Sequence, residues 1–504
     1  MALAIVSMIW FLFFAAYPYG AGGWNEARNW YWSQSLYPAF PALFGWPFIV
    51  IIGLSIVNAI KPVFNRQEVA IILVMTVVGS FIFGSYNIAT TTWGMTAGAY
   101  RYYGTTPDNL NRLWGLMPNI WGPKDAVLMA SIIPVSTWAI NWGLWAPTLV
   151  QGILFLLFSI LMVVFASLFY RRLYVDHLEL AFPVTEVHSH MVELTQPVDK
   201  GRPRFFKSVF FWIGFLISFL WAFAAYAYPG IYSFIVRAPA SYTLDVAVWG
   251  LMYDWTPLVL IPWVPLIFNF MPYFIGWGYL MSIEVIIGVL LGFVAMWVVF
   301  PMVLNSMGNP LGTYQKGWPV YTAEYSPIIN PNVDLAALHA GLLIGLALMP
   351  LLLNRGVIIP ILKSITGKAV PKDADPNAPM DYRYVWLLLV ASFLIFVASW
   401  AWMDIPMLPA FLFTIVLIVC FMGAVRVMAE TGGLMGHGPN LQYHHTSFVP
   451  LLGTIIAVAM GITMTKSTEA NAIGWWSFAW NTYVWVPVWI IAACIAPYSF
   501  QLGK

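Results

Sequence analysis

Residues 274–300 read FIGWGYLMSIEVIIGVLLGFVAMWVVF. Glu284 is the single charge in this stretch. A run of more than about 18 apolar residues is long enough to cross a bilayer core, and a carboxylate placed inside one costs several kcal/mol unless it is paired or hydrated. Gly276 and Gly278 precede the carboxylate, and Gly288 and Gly292 follow it at a four-residue spacing that lets helices approach closely. The stretch predicts a membrane-spanning helix whose acid reads either as a site for a cation, a proton or a substrate amine, or as a structural Glu that is hydrogen-bonded to Ser282 or a neighbouring helix backbone, or protonated and silent.

The flanking sequence points the same way. Residues 257–272 are short for a span and contain Pro257, Pro262, Pro265 and Pro272. A helix of about 16 residues covers only about 24 Å. Proline also strips donors from the backbone, and a short, interrupted helix is a pointer to a transporter site. Asn269 and Asn305 bracket this hairpin and can supply polar contacts, although each on its own reads as structural.

Composition extends the membrane reading to the whole chain. Of 504 residues, 61% are hydrophobic and 8% charged, against roughly 25% charged in an average soluble protein. Lys and Arg total 22 and Asp and Glu 20, a net charge of +2, which leaves no basic footprint for nucleic acid. The two cysteines, Cys420 and Cys494, lie in apolar runs and exclude a disulfide framework or a cysteine zinc site. The expectation is an all-α, polytopic transmembrane bundle of about 12 spans with re-entrant or broken helices and room for an inverted repeat.

The spans are expected near 2–19, 43–60, 68–90, 146–170, 208–228, 257–272, 275–303, 335–354, 383–402, 406–428, 447–465 and 478–497. Residues 126–140, broken by Pro134, read as an interfacial or re-entrant segment, and residues 2–17 as the first span, not a removable signal. With both termini in the cytoplasm, 15 of the 22 Lys and Arg fall on the inner side and 7 on the outer, as the positive-inside rule favours for a cell-membrane protein. The polar, Pro-rich residues 367–382 form a cytoplasmic linker. It separates a membrane segment over 1–366 from a second over 383–504, the two forming one integrated domain.

Two more stretches carry candidate chemistry. The inner loop contains His177, Glu186, His188, His190 and Glu193. Imidazole and carboxylate suit a first-row metal, but His188 and His190 point to different faces if the segment is helical, and a solvated juxtamembrane helix is the simpler account. Residues 425–445 read VRVMAETGGLMGHGPNLQYHH. Arg426 and Glu430 are spaced to meet on one helix face. Gly432 and Gly433 stop the helix, and His437, His444 and His445 follow. This segment reads either as a gate, a metal-handling loop or a broken helix lining a cavity, or as a plain helix stop and turn. His339 reads as a core histidine.

The chain has no nucleophile elbow, His-Glu-x-x-His or phosphate loop. The chain is expected to be neither an enzyme nor the holder of a cofactor, and an intramembrane metalloenzyme built on the histidines near 437–445 is the least favoured reading.

Several motifs resemble one known group. The 274–300 helix and LELAFPVTEV at 178–187 are similar to elements of the oligopeptide transporter superfamily, which includes the yellow-stripe metal-chelate carriers. NRQEVAIILVM at 65–75, YRRLYVDHLELAFP at 170–183, YRYVWLLLVASFLIFVASWAWM at 382–403 and VRVMAETGG at 425–433 resemble its prokaryotic branch. The Asn-Pro-Gly and Lys-Ile-Pro-Pro-Arg elements of the superfamily are missing. The resemblance implies a secondary carrier, usually proton-coupled, of small peptides or metal chelates, often dimeric. Glu284 would then bind the coupling ion or a substrate amine. Asn269, Asn305, Arg426, Glu430 and His437 would complete the ion and substrate contacts, and His188, His190, His444 and His445 remain weak metal candidates. The competing expectation is a non-transporting integral subunit of a larger membrane complex.

Overall fold

The computed structural model describes residues 46–83, 142–198, 202–203, 208–222, 251–254, 267–270, 276, 278–299, 302–303, 306–307, 335–364, 380–402 and 407–431. The expected spans near 2–19, 447–465 and 478–497, the segment 126–140 and most of the linker lie outside them.

The described residues are helical apart from two small antiparallel ladders. Two helical stretches, Tyr382–Ser399 and Ala410–Thr431, are long and apolar enough to cross a membrane. A bent pair, Gly341–Leu353 with Arg355–Lys363, makes a third if the two parts form one span. The chain divides into two compact units, one of Met1–Ser85, Pro183–Glu324 and Glu430–Gly436, the other of Tyr86–Phe182, Tyr325–Ala429 and His437–Lys504.

In the first unit, α1 (Trp46–Ile60) and α2 (Arg66–Phe83) form a helical hairpin. Asn58, fully buried, organises its turn. Its Oδ1 accepts from the Val63 and Phe64 amides at 3.2 and 3.0 Å, and its Nδ2 donates to the Phe64 carbonyl at 3.0 Å. The motif Asn65-Arg-Gln-Glu68 then starts α2 as a reciprocal cap. The Glu68 amide donates to Asn65 Oδ1 at 2.9 Å and the Asn65 amide to Glu68 Oε2 at 3.0 Å, satisfying two donors that a helix start leaves open.

Helix α4 (Pro183–Thr195) packs against both α1 and α2. A short ladder of β1 (Pro197–Val198) and β2 (Arg202–Pro203) follows. Helix α5 (Val209–Ala222) begins at Ser208, whose Oγ accepts from the Phe211 amide at 3.2 Å. Phe211, Phe215 and Phe219 stack along it at four-residue spacing, 6.3 and 6.0 Å between rings.

The proline-rich stretch departs from the sequence expectation. Residues 267–270, read above as the end of a helix over 257–272, form strand β4 (Ile267–Phe270), paired antiparallel with β3 (Leu251–Asp254). Proline removes helical hydrogen bonds and pushes the residue before it toward extended geometry, so this sequence pairs laterally. The 275–303 stretch is likewise not one continuous α-helix. A helix restarts at Ser282 as α6 (Ile283–Phe293) and passes into a π-helical turn over Val294–Val299.

The second unit is built on α3 (Trp142–Arg171), α7 (Leu335–Leu353), α8 (Arg355–Lys363), α9 (Tyr382–Ala401) and α10 (Met407–Thr431). Helices α3 and α9 pack along one another. Met162, Ala166, Val385, Phe396 and Val397 are among the buried residues of this pair. The Phe169 and Trp386 rings meet at 5.1 Å, and Trp386 Nε1 donates to the Ile361 carbonyl of α8 at 3.2 Å. Gly423 of α10 lies on the Leu343 backbone of α7. A Cβ there would overlap the Leu343 carbonyl, so the close approach of these helices requires glycine.

Candidate functional site

Several polar residues of the second unit meet where α3 ends. Arg171 closes α3, and residues Arg172–His177 continue it as a π-helix. Five-residue spacing is the repeat of a π-turn and would spread side chains to different faces of an α-helix. Here it brings Arg171 and Asp176 together, with Nη1 to Oδ2 at 3.1 Å and Nη2 to Oδ1 at 3.4 Å. The Arg171 side chain is 1% exposed and that of Asp176 25%, so the pair is largely removed from water.

The chain then makes a tight return. The Leu178 amide donates to the Leu173 carbonyl and the Leu180 amide to the Tyr174 carbonyl. Glu179 and Phe182 adopt positive φ angles of 48° and 45°, a region costing about 1–3 kcal/mol for residues with a Cβ. The buried Phe182 precedes proline, which disfavours it further. It is held by its amide, which donates to the Ala429 carbonyl at 2.8 Å. Tyr174 Oη donates to the Met422 carbonyl at 3.2 Å. The motifs YRRLYVDHLELAFP and VRVMAETGG, far apart in sequence, are thus joined directly.

The same π-helix packs on α8. α7 and α8 meet at 88°, with the break at Asn354. Asn354 Nδ2 donates to the Pro350 carbonyl at 2.9 Å, while its Oδ1 lies 2.8 Å from His177 Nε2. His177 therefore holds the residue at the corner. Arg426 of α10 is half-buried and donates to the Leu346 carbonyl at 3.4 Å. Glu430 is one turn further along the same helix and also half-buried.

Glu284 belongs to the first unit and has a different setting. It is exposed, in the first turn of α6, where Ser282 Oγ accepts from the Val285 amide at 3.4 Å. The acid is therefore at a helix beginning, not in the middle of an unbroken helix as the apolar run implied.

The remaining candidates are dispersed. Asn269 is on β4 opposite Met252. Asn305, His437, His444 and His445 lie outside the described residues. His188 is buried on α4, whereas His190 is exposed, its Nδ1 3.7 Å from Glu193 Oε2. Glu193 also meets Arg66 at 3.3 Å. Among the described residues, no three His, Cys, Asp or Glu side chains come together as a metal site.

A family profile matches residues 2–489 of the chain. The chain belongs to this family, described as a family of unknown function, DUF6785. No curated protein and no solved structure matches the chain. Asn58, Asn354 and Gly423 escaped the sequence reading, because an asparagine in a turn and a glycine in an apolar helix carry no signal until their neighbours are known.

Proposed function

We propose that the protein is a secondary active transporter of the cell membrane, coupled to protons or another ion, that carries small peptides or metal chelates. The observation that carries this reading is the interruption of the Glu284 stretch. A helix that starts at Ser282 within an apolar run presents an exposed carboxylate at its first turn. Discontinuous helices with polar groups at the break are the usual way a carrier builds an ion or substrate site inside a bilayer. The bend at Asn354 is a second break of this type in the other unit. The resemblance of the ordered motifs to oligopeptide transporters supports the choice of substrate class.

In this account Glu284 takes the coupling cation or a substrate amine, and Arg426, with Glu430 one turn away, attracts a substrate carboxylate. Asn269, Asn305 and His437 would add polar contacts. Both termini face the cytoplasm, and the carrier works as a homodimer or within a larger membrane complex. The test is uptake into proteoliposomes under an imposed pH gradient, with a di- to pentapeptide pool and ferric or nickel chelates offered. Gradient-driven accumulation is expected. Its absence from a well-folded sample would favour the alternative role as an integral subunit of a larger membrane complex.

A further inference from the structure

We propose that α8 is an interfacial helix that lies along the membrane surface and binds anionic phospholipid. Four observations lead there. First, α8 leaves the apolar α7 at 88°; if α7 crosses the bilayer at an ordinary tilt, α8 runs close to the membrane plane. Second, its two faces differ. Ile358 and Ile361 are buried, and the Ile361 carbonyl is bonded by Trp386. Arg355, Ile359, Leu362 and Lys363 are exposed, and at 3.6 residues per turn they fall within an arc of about 120°. Ile359 and Leu362 are 43% and 42% exposed, flanked by one cation at each end of the helix. An apolar strip bordered by Lys and Arg is the pattern that seats a helix at the boundary of headgroups and acyl chains.

Third, the apolar surface is continuous. Leu342, Met349, Leu352 and Leu353 of α7 are exposed up to the break, and Ile359 and Leu362 carry on beyond it. A surface that begins as the side of a spanning helix and turns through a right angle fits the acyl region and then its boundary. A protein partner would have to follow the same corner. Fourth, the expected distribution of Lys and Arg puts this end of the chain at the inner leaflet, where anionic lipid attracts each nearby cation. The proposal does not rest on transport activity.

The experiment uses the full chain in vesicles of phosphatidylcholine and phosphatidylglycerol. A bimane label is placed at Leu362→Cys in a Cys420→Ser/Cys494→Ser background, with one lipid or the other brominated. Both lipids should quench the label, and brominated phosphatidylglycerol should quench beyond its mole fraction. The preference should fall about fivefold for each cation removed in Arg355→Gln and Lys363→Gln. A label at Val390→Cys, exposed on the side of α9, should be quenched equally by both lipids in every variant, which establishes insertion. Lack of quenching at Leu362, or equal quenching by the two lipids there, would overturn the proposal. If the cysteine-free chain does not insert, native mass spectrometry of the unaltered protein reads the same preference. Retained phosphatidylglycerol adducts, lost in the double variant, support it. Equal retention of both lipids contradicts it.

Discussion

The π-helical return over 170–183 and the restarted helix at Ser282–Phe293 are both irregular stretches beside apolar helices, yet they treat their charges oppositely. In the first, Arg171 is buried and matched by Asp176, and of two residues in unfavourable backbone regions Phe182 is held by its amide and Glu179 sits between the bonded amides of Leu178 and Leu180. In the second, Glu284 is exposed, and the stretch has no buried residue between Ile283 and Phe293. A buried, paired charge fixes a backbone. An exposed acid at a helix start keeps its affinity for something that comes and goes. The comparison gives the first region the character of architecture, and the proposed transport role places its chemistry in the second.

The largest expected effect comes from Gly423→Val. The side chain would be driven into the Leu343 backbone, and overpacking against backbone costs about 3 kcal/mol or more. Loss of the folded protein on size-exclusion chromatography in detergent is expected. A variant of wild-type elution and melting temperature would break the account of this helix contact. Next, Asp176→Asn takes from the buried Arg171 the carboxylate it meets at 3.1 Å. Removing one partner of such a pair costs about 3 kcal/mol. The same neutralisation at Glu284, Glu284→Gln, should change the thermal midpoint by a small fraction of that. Equal destabilisation by the two variants would erase the distinction between the regions.

The smallest effect lies at Asp381, just before the first residue of α9. It accepts hydrogen bonds from the Arg383 guanidinium at 2.7 and 3.1 Å and from its amide at 2.9 Å. The side-chain bond to Arg383 is the main cause holding its carboxyl below the ordinary range. A carboxyl whose folded value is depressed adds stability above its unfolded value, about 3.9, and loses it as pH falls through the folded value. The contribution is slight, because the pair is exposed and screened. Asp381→Asn should lower the neutral plateau of a melting-temperature profile slightly and flatten its shallow acid limb below about pH 4, so that the variant and the wild type converge in acid. An unchanged acid limb would contradict this assignment.

Much of the helical frame was legible in the sequence. The long apolar runs near 43–60, 146–170, 335–354, 383–402 and 406–428 coincide with helices because an apolar run in a chain this poor in charge has few other ways to satisfy its backbone. The reciprocal cap at Asn65 and Glu68 came only with the structure. What the runs did not disclose is where a helix breaks. Apolar residues lie on both sides of Ser282, so that break depends on a cap hydroxyl, while the turn at Asn354, where the apolar run ends, is held by a side chain supplied from 177 residues away. The strand at 267–270 was hidden for the same reason, since prolines announce that a helix fails without saying what replaces it. Arg426 and Glu430 were found from their spacing, but the carbonyl of Leu346 that Arg426 meets belongs to a contact across 80 residues.

The central claim is that Glu284 carries coupling and Asp176 carries structure. It is tested most directly by gradient-driven uptake in matched proteoliposomes containing the wild type, Glu284→Gln or Asp176→Asn, each normalised to correctly folded protein. The account predicts that Glu284→Gln, though stable, loses accumulation, while the folded fraction of Asp176→Asn accumulates substrate at close to the wild-type rate. Full gradient-dependent uptake by Glu284→Gln would contradict it.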